Sequence, residues 1–165
     1  MTQPAYAIVA LTPDAVFDAP VFAALRNEYE QEALRNPDLA GSVPDRAGYQ
    51  ALFDAGVLHP LGIFAGAGPD RTLAGFCTVL LSPVLHHKGR RIAITETLFV
   101  AKAYRRGGAG MALIRAAERI ARQQGAAGLH INAPAGGALA RVLPRQGYQG
   151  VSQLFYRRIP TQEKT

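Results

Sequence analysis

The chain has 165 residues, 48% of them hydrophobic, a single cysteine and a formal net charge of +6. That length predicts one domain with a real core. The composition makes disorder unexpected beyond the ends, and one cysteine excludes an internal disulfide framework or a cysteine-based zinc site. No apolar run approaches the ~20 residues of a membrane helix. Met1–Pro4 show neither a basic nor an apolar leader region, so a cytoplasmic location is expected. From Met1 to His87 four arginines face nine carboxylates, a balance of −5; from Lys88 onward fourteen Lys and Arg face three, a balance of +11. The basic half points to an anionic ligand. The acids Glu28, Glu30, Glu32, Asp38 and Asp45 suggest a cationic acceptor or a solvated helix face.

Ala5 to Leu11 reads as a first strand. Asp14, after Pro13, is the expected N-cap of a helix spanning Val16 to Leu34, in which Phe17, Val21, Phe22, Leu25 and Tyr29 recur at helical spacing and Pro20 offers a break. A loop from Asn36 to Pro44 leads to Asp45, the expected cap of a short helix through Tyr49, Leu52 and Phe53 that ends near Gly56. Leu61 to Ala65 and Thr72 to Leu81 form a hairpin around Gly68-Pro69-Asp70-Arg71. A loop, Ser82 to Arg90, precedes a β-branched strand, Arg91 to Val100. Met111 to Gln123 is an amphipathic helix with Leu113, Ile114, Ala117, Ile120 and Ala121 inward, a Glu118–Arg122 pair outward and Gly125 as its stop. A strand at Leu129 to Ala133, a helix at Gly136 to Arg145, a strand at Val151 to Ile159 and a polar tail at 159–165 complete the order β α α β β β α β α β. One α/β domain with a mixed sheet is expected over residues 1–165.

The stretch with the most chemical content is Arg105-Arg106-Gly107-Gly108-Ala109-Gly110-Met111, between the strand ending at Val100 and the helix. A glycine turn that opens a helix bares backbone N–H groups at the positive end of the helix dipole, which makes an anion site. Arg105 and Arg106 add guanidinium forks suited to phosphate. Gly110-Met111-Ala112 lacks the Gly-Lys-Ser/Thr ending of a P-loop, and no G-x-G-x-x-G follows the first strand.

This stretch, after Glu96-Thr97-Leu98-Phe99-Val100, resembles motif A of the GNAT superfamily of acyl-CoA-dependent N-acyltransferases, written Q/R-x-x-G-x-G/A; Arg105, Gly108 and Gly110 fill its fixed positions. Gln146-Gly147-Tyr148 resembles the family's G-F/Y turn, and the element order matches from Ala5 to Ile159. The resemblance implies a GNAT-like fold in which the turn from Arg105 to Met111 cradles the pyrophosphate of acetyl-CoA. The backbone of Leu98, Phe99 and Val100 would pair with the pantetheine arm, and that strand and the one at Leu129 to Ala133 would splay to admit it. Lys102, Arg106 and Arg141 are candidates for the outer phosphates. It further implies transfer of an acyl group to a primary amine of a small molecule or a protein, with no metal.

Such a transfer needs a base, because an alkylamine with a pKa near ~10.4 is mostly cationic at neutral pH. Glu96 is the candidate: it is the only acid between Arg71 and Arg115, in an apolar strand whose two-residue period places it with Leu98 and Val100. A salt bridge to Arg91 or another arginine is the structural alternative. The N–H of Val100 or Leu98 is the implied oxyanion donor. Where many members carry a tyrosine, four residues before the G-F/Y turn, this chain has Leu143, and Ala135 or Gly136 replaces the usual asparagine. Tyr148 is the candidate acid, with Tyr156 nearby. His86-His87 reads as surface, Cys77 as core, and His130 and Asn132 as either an acceptor wall or sheet packing. A CoA-binding regulator without turnover is the alternative function and a nucleic-acid-binding module a remote one; nucleic acid and membrane are not expected partners, and a homodimer is left open.

Overall fold

The computed structural model describes residues 6–32, 41 and 43–159. Its centre is a five-stranded sheet in chain order: β1 (Tyr6–Ala10), β2 (Leu58–Ala65), β3 (Thr72–Pro83), β4 (Arg91–Val100) and β5 (Leu129–Ile131). The first three pairings are antiparallel and β4–β5 is parallel. A parallel pair needs a crossover, and α4 (Ala109–Gln123) supplies it. Helices α1 (Pro13–Asp18), α2 (Pro20–Glu32) and α3 (Arg46–Asp54) precede β2.

Strand alternation divides the core in two. Cys77, Val79 and Leu81 of β3 join Leu113, Ala116, Ala117 and Ala121 of α4 on one face. Phe76, Leu73 and Phe99 meet Phe22, Leu25 and Tyr29 of α2 on the other. Leu113 and Ile114 are fully enclosed, each stabilising the fold by about 1.5–3 kcal/mol relative to exposure. Pro20 does interrupt the long helix, with Ala19 extended between α1 and α2. The cap of α1 is Thr12, whose Oγ1 accepts from the Ala15 N–H at 3.3 Å; Asp14 lies in the first turn instead. Asp45 caps α3 as expected, accepting from the Gly48 N–H at 2.9 Å.

Three further expectations are corrected. The helix at Gly136 to Arg145 is shorter: α5 covers Ala138–Val142 and tightens into a 3-10 turn, Leu143–Gln146, where Pro144 cannot donate. Val151 to Ile159 forms no strand and is exposed, with Leu154 at 95%. β-propensity is realised only within a ladder, and the described sheet ends at β5. Glu118 accepts a hydrogen bond from the Tyr148 hydroxyl at 2.6 Å, and no ion pair joins it to Arg122 among the described residues. The start of the first predicted strand at Ala5, the helix end at Leu34, Asp38 and most of the following loop, and the tail from Pro160 lie outside the described residues.

Candidate active site

The site is organised by an irregularity in β4. Leu98 pairs with Cys77 and Thr97 with Thr78, but Val79 pairs with Thr95; Glu96 is the extra residue of a β-bulge. A bulge reverses the facing of everything beyond it. Ala93 therefore faces α4 on one side of the bulge, and Leu98 and Val100 face it on the other. Glu96 does not share their face, as the simple two-residue period required. It turns with Thr97 into a cavity beneath α1, α2 and α3.

That cavity measures about 490 Å³, within the size range of small-molecule sites. Its walls include Phe17, Phe22, Tyr29, Tyr49, Phe76 and Leu80. Tyr29 packs edge-on against Phe76 and Phe99, with ring centroids 5.8 and 5.6 Å apart. The Tyr49 hydroxyl lies 3.3 Å from Thr78 Oγ1. By surface area Glu96 is exposed, but its exposure is to this cavity, and the packed walls strip part of the water from its carboxylate. Burial accordingly raises its pKa above the ordinary glutamate value. The Thr97 hydroxyl offsets a little of that rise without a hydrogen bond of good geometry, and is itself buried without a partner. No salt bridge engages Glu96 among the described residues. Desolvation raises the pKa of Tyr29 and Tyr49 first, and the Glu96 charge adds to both, so the two phenols stay protonated near neutrality.

The gap beside Glu96 opens at the same point. β4 and β5 pair only from Ala93↔Leu129 to Thr95↔Ile131. Asn132 then closes the ladder, its N–H reaching Thr95 Oγ1 at 3.2 Å and its Nδ2 donating to the Thr95 carbonyl at 3.1 Å. Asn132 is thus a clasp at the point of divergence. His130 is exposed and is not among the cavity-lining residues. From Glu96 to Val100 the β5-facing side of β4 has no partner strand among the described residues.

Beyond Val100 the chain makes a 3-10 turn, Lys102–Gly107, and enters α4 through Gly108. Gly108 has φ +83°, a left-handed conformation costly for any side chain, and its carbonyl accepts the Ala112 N–H at 3.0 Å. The N–H groups of Ala109, Gly110 and Met111 belong to the first helical turn and have no partner inside the helix. A methyl group on Gly110 would meet only Val100 Cγ2, at 3.9 Å, so nothing inside the protein requires glycine there. At Gly107 the requirement is internal, because a methyl would collide with the Tyr6 hydroxyl. The turn thus presents first-turn N–H groups with the exposed Lys102 and Arg106 beside it.

The arginines divide their work differently from the expectation. Arg105 Nε donates to the Val100 carbonyl at 2.9 Å, its Nη2 reaches Glu32 at 2.6 Å, and its guanidinium lies 5.4 Å from the Phe99 ring centre. It fastens the turn to β4 and α2, with Glu28 accepting the Lys102 N–H at 2.8 Å beside it. Arg106 is exposed beside the turn. Arg141 donates to the Gly136 carbonyl at 3.0 Å, a local contact. Tyr148 is committed to Glu118 on α4 and does not line the cavity; burial and that hydrogen bond raise its pKa. Leu143 is buried. No cluster of three or more His, Cys, Asp or Glu stands ready for a metal among the described residues.

The sequence reading missed Tyr29, Tyr49, Phe76 and Thr78 as lining residues. Their helical or alternating spacing looks the same for a core wall and a cavity wall.

The family model of the acetyltransferase (GNAT) family matches residues 22–148, and the chain belongs to that family. No curated protein matches the chain in sequence. Among solved structures, the ribosomal-protein-alanine N-acetyltransferase of Brucella melitensis biovar Abortus 2308 is 23% identical with a TM-score of 0.66, over 95% of this chain and 100% of that one. An aminoglycoside acetyltransferase from an uncultured soil metagenomic sample, in complex with sisomicin, is 19% identical with a TM-score of 0.68, over 94% and 97%. AAC(6')-Iy in complex with the bisubstrate analogue CoA-S-monomethyl-acetylneamine is 15% identical with a TM-score of 0.66, over 95% and 99%. At these identities the likeness is one of fold.

Proposed function

We propose that this protein moves an acetyl group from acetyl-CoA to a primary amine. The observation that carries the reading is the placement of Glu96: the bulge aims its carboxylate into the amine-sized cavity at the point where β4 leaves β5. When bound, acetyl-CoA supplies an activated acyl carbon. The N–H groups of Ala109, Gly110 and Met111 hold the diphosphate, with Arg106 and Lys102 neutralising charge around it. The open edge of β4 at Leu98, Phe99 and Val100 pairs with the pantetheine arm as a strand would.

Glu96 takes a proton from the ammonium of the acceptor, through a water, at its carboxylate oxygen. The freed nitrogen then forms the C–N bond as the C–S bond breaks. A β4 N–H from Leu98 or Val100 supports the negative charge on the carbonyl oxygen. The attached nitrogen, cationic once the C–N bond forms, sheds its second proton as the C–S bond breaks, and the leaving thiolate, with a parent pKa near ~8.5, takes up one proton directly or through solvent, leaving a neutral amide and CoA thiol. Tyr148 serves that step only if it leaves Glu118.

Calorimetric titration with CoA, followed by thiol release from acetyl-CoA over an amine panel, tests the proposal. Absence of heat at millimolar CoA would refute it. Leu143 in place of the family's tyrosine, and a Tyr148 tied to Glu118, favour one second reading, a CoA-responsive regulator. Tight CoA binding with no thiol release against any amine or peptide would select it.

A further inference from the structure

The chemistry of the cavity restricts the acceptor, given the transferase reading on which this inference rests. We infer that the acceptor is an apolar monoamine: one primary ammonium on an alkyl or arylalkyl body. The hydrocarbon and aromatic walls, chiefly Phe17, Phe22, Tyr49, Leu52, Phe76 and Leu80, offer an apolar body a dry surface.

The polar groups around the cavity can be accounted for one by one. Asp45 accepts the Gly48 N–H in capping α3. Thr78 is engaged with Tyr49. Arg26 and Glu30 stand one helical turn apart on α2 with opposite charges. At the neighbouring mouth, Arg46 is held by Asp14 at 2.7 Å and Asp18 at 2.5 Å, and its guanidinium lies 5.6 Å from the Phe17 ring centre. Among the described residues, Glu96 and Thr97 stand side by side on β4, the carboxylate in no ion pair and the buried hydroxyl without a partner, while Glu30, Asp45 and the Tyr29 hydroxyl are the other acidic and phenolic groups of the lining. One ammonium with one hydrogen-bonding neighbour fits that pair. A polyamine or aminosugar would have to set several further charges and hydroxyls against a mainly hydrocarbon wall, with only Glu30, Asp45 and the Tyr29 hydroxyl to meet them.

The test compares acceptors with the full chain and acetyl-CoA. Across n-alkylamines from propylamine to octylamine, kcat/KM should climb about fourfold per methylene until the chain outgrows the cavity. Phenethylamine should rank with the longer members. Diaminohexane should fall at least ~10-fold below hexylamine, and kanamycin lower still, since a single hydroxyl against an apolar wall already separates substrates by roughly 10²-fold. Leu52 is partly exposed on α3, so Leu52→Lys should leave folding intact while raising KM for hexylamine about 10-fold with kcat and CoA affinity unchanged. Calorimetry of the same amines on CoA-loaded protein reads the preference without turnover. A preference for diaminohexane or kanamycin, in turnover or in binding, overturns the inference while leaving acyl transfer standing. Absence of CoA binding, with the alkylamine preference retained when the same amines are titrated into the free protein, overturns the transferase reading instead and leaves the cavity's chemistry in place.

Discussion

Replacing Glu96 by glutamine separates a catalytic carboxylate from a structural one, because the two roles predict opposite effects. Glutamine keeps the shape and loses the base. General-base catalysis contributes ~10²–10⁴-fold. The cavity is open, so bulk water can accept part of the proton load, and the lower end applies: kcat should fall about 10²-fold, or about 2.7 kcal/mol in activation free energy. CoA affinity should stay unchanged, since Glu96 faces the acceptor cavity while the diphosphate turn lies beyond Val100. In the native protein the rate should rise with pH through a midpoint above the ordinary glutamate range, because burial raises the Glu96 pKa. That limb should vanish in Glu96→Gln.

Stability should move the other way. A carboxyl whose folded pKa exceeds its unfolded value favours the fold most fully below the unfolded pKa, ~4.3, and that contribution is lost as pH rises through the folded value. Glutamine cannot ionise. The variant should therefore melt like the native protein in acid and at a higher temperature near neutrality. Thiol-release kinetics across pH and thermal melts at the two ends of the range supply both readings. Full turnover in the variant, or a lower melting temperature at neutral pH, would show that Glu96 holds the strand rather than the proton.

Other substitutions probe the framework. Gly107→Ala should destabilise by about 1–3 kcal/mol through collision with the Tyr6 hydroxyl. Tyr6→Phe removes a buried hydroxyl without a partner and should stabilise by ~1 kcal/mol. The double variant should recover at least half the Gly107→Ala loss in urea titrations; simple additivity would contradict the contact. Gly110→Ala should stabilise α4 by up to ~1 kcal/mol, since its methyl has room, while a valine there should weaken CoA binding at least ~10-fold by calorimetry. Cys77 is fully buried and its thiol is pushed up to about 12, mainly by desolvation. A disulfide reagent at neutral pH should label no thiol in the folded protein and one in denaturant.

The order of elements through α5 was legible because each carried a local signal: β-branched alternation in β3 and β4, a one-sided apolar stripe in α4, and glycine at the turn that only glycine could make. Tertiary contacts decided what local signals could not. The segment from Val151 to Ile159 has strand-like residues but joins no strand of the described sheet. Arg105 reads as a phosphate ligand in sequence, yet Glu32 and the Val100 carbonyl, 73 and 5 residues away, claim it. The cavity was hidden because Tyr29, Tyr49 and Phe76 keep the spacing of core residues whether or not the space before them is filled.

The bulge at Glu96 explains why the open edge of β4 and the cavity beneath α1, α2 and α3 meet. Both flanks of β4 must present apolar residues to α4: Ala93 before the bulge, Leu98 and Val100 after it. In a regular strand these odd- and even-numbered residues would lie on opposite faces, and Glu96 would join Leu98 against the helix, an unpaired carboxylate in hydrocarbon. One extra residue resolves the conflict. It keeps the α4 face apolar on both sides, turns Glu96 and Thr97 into the cavity, and falls next to Thr95, where the Asn132 clasp ends the β5 ladder. The same kink that satisfies the core therefore sets the carboxylate beside the open strand edge, and the geometry proposed for catalysis follows from a packing requirement of the sheet.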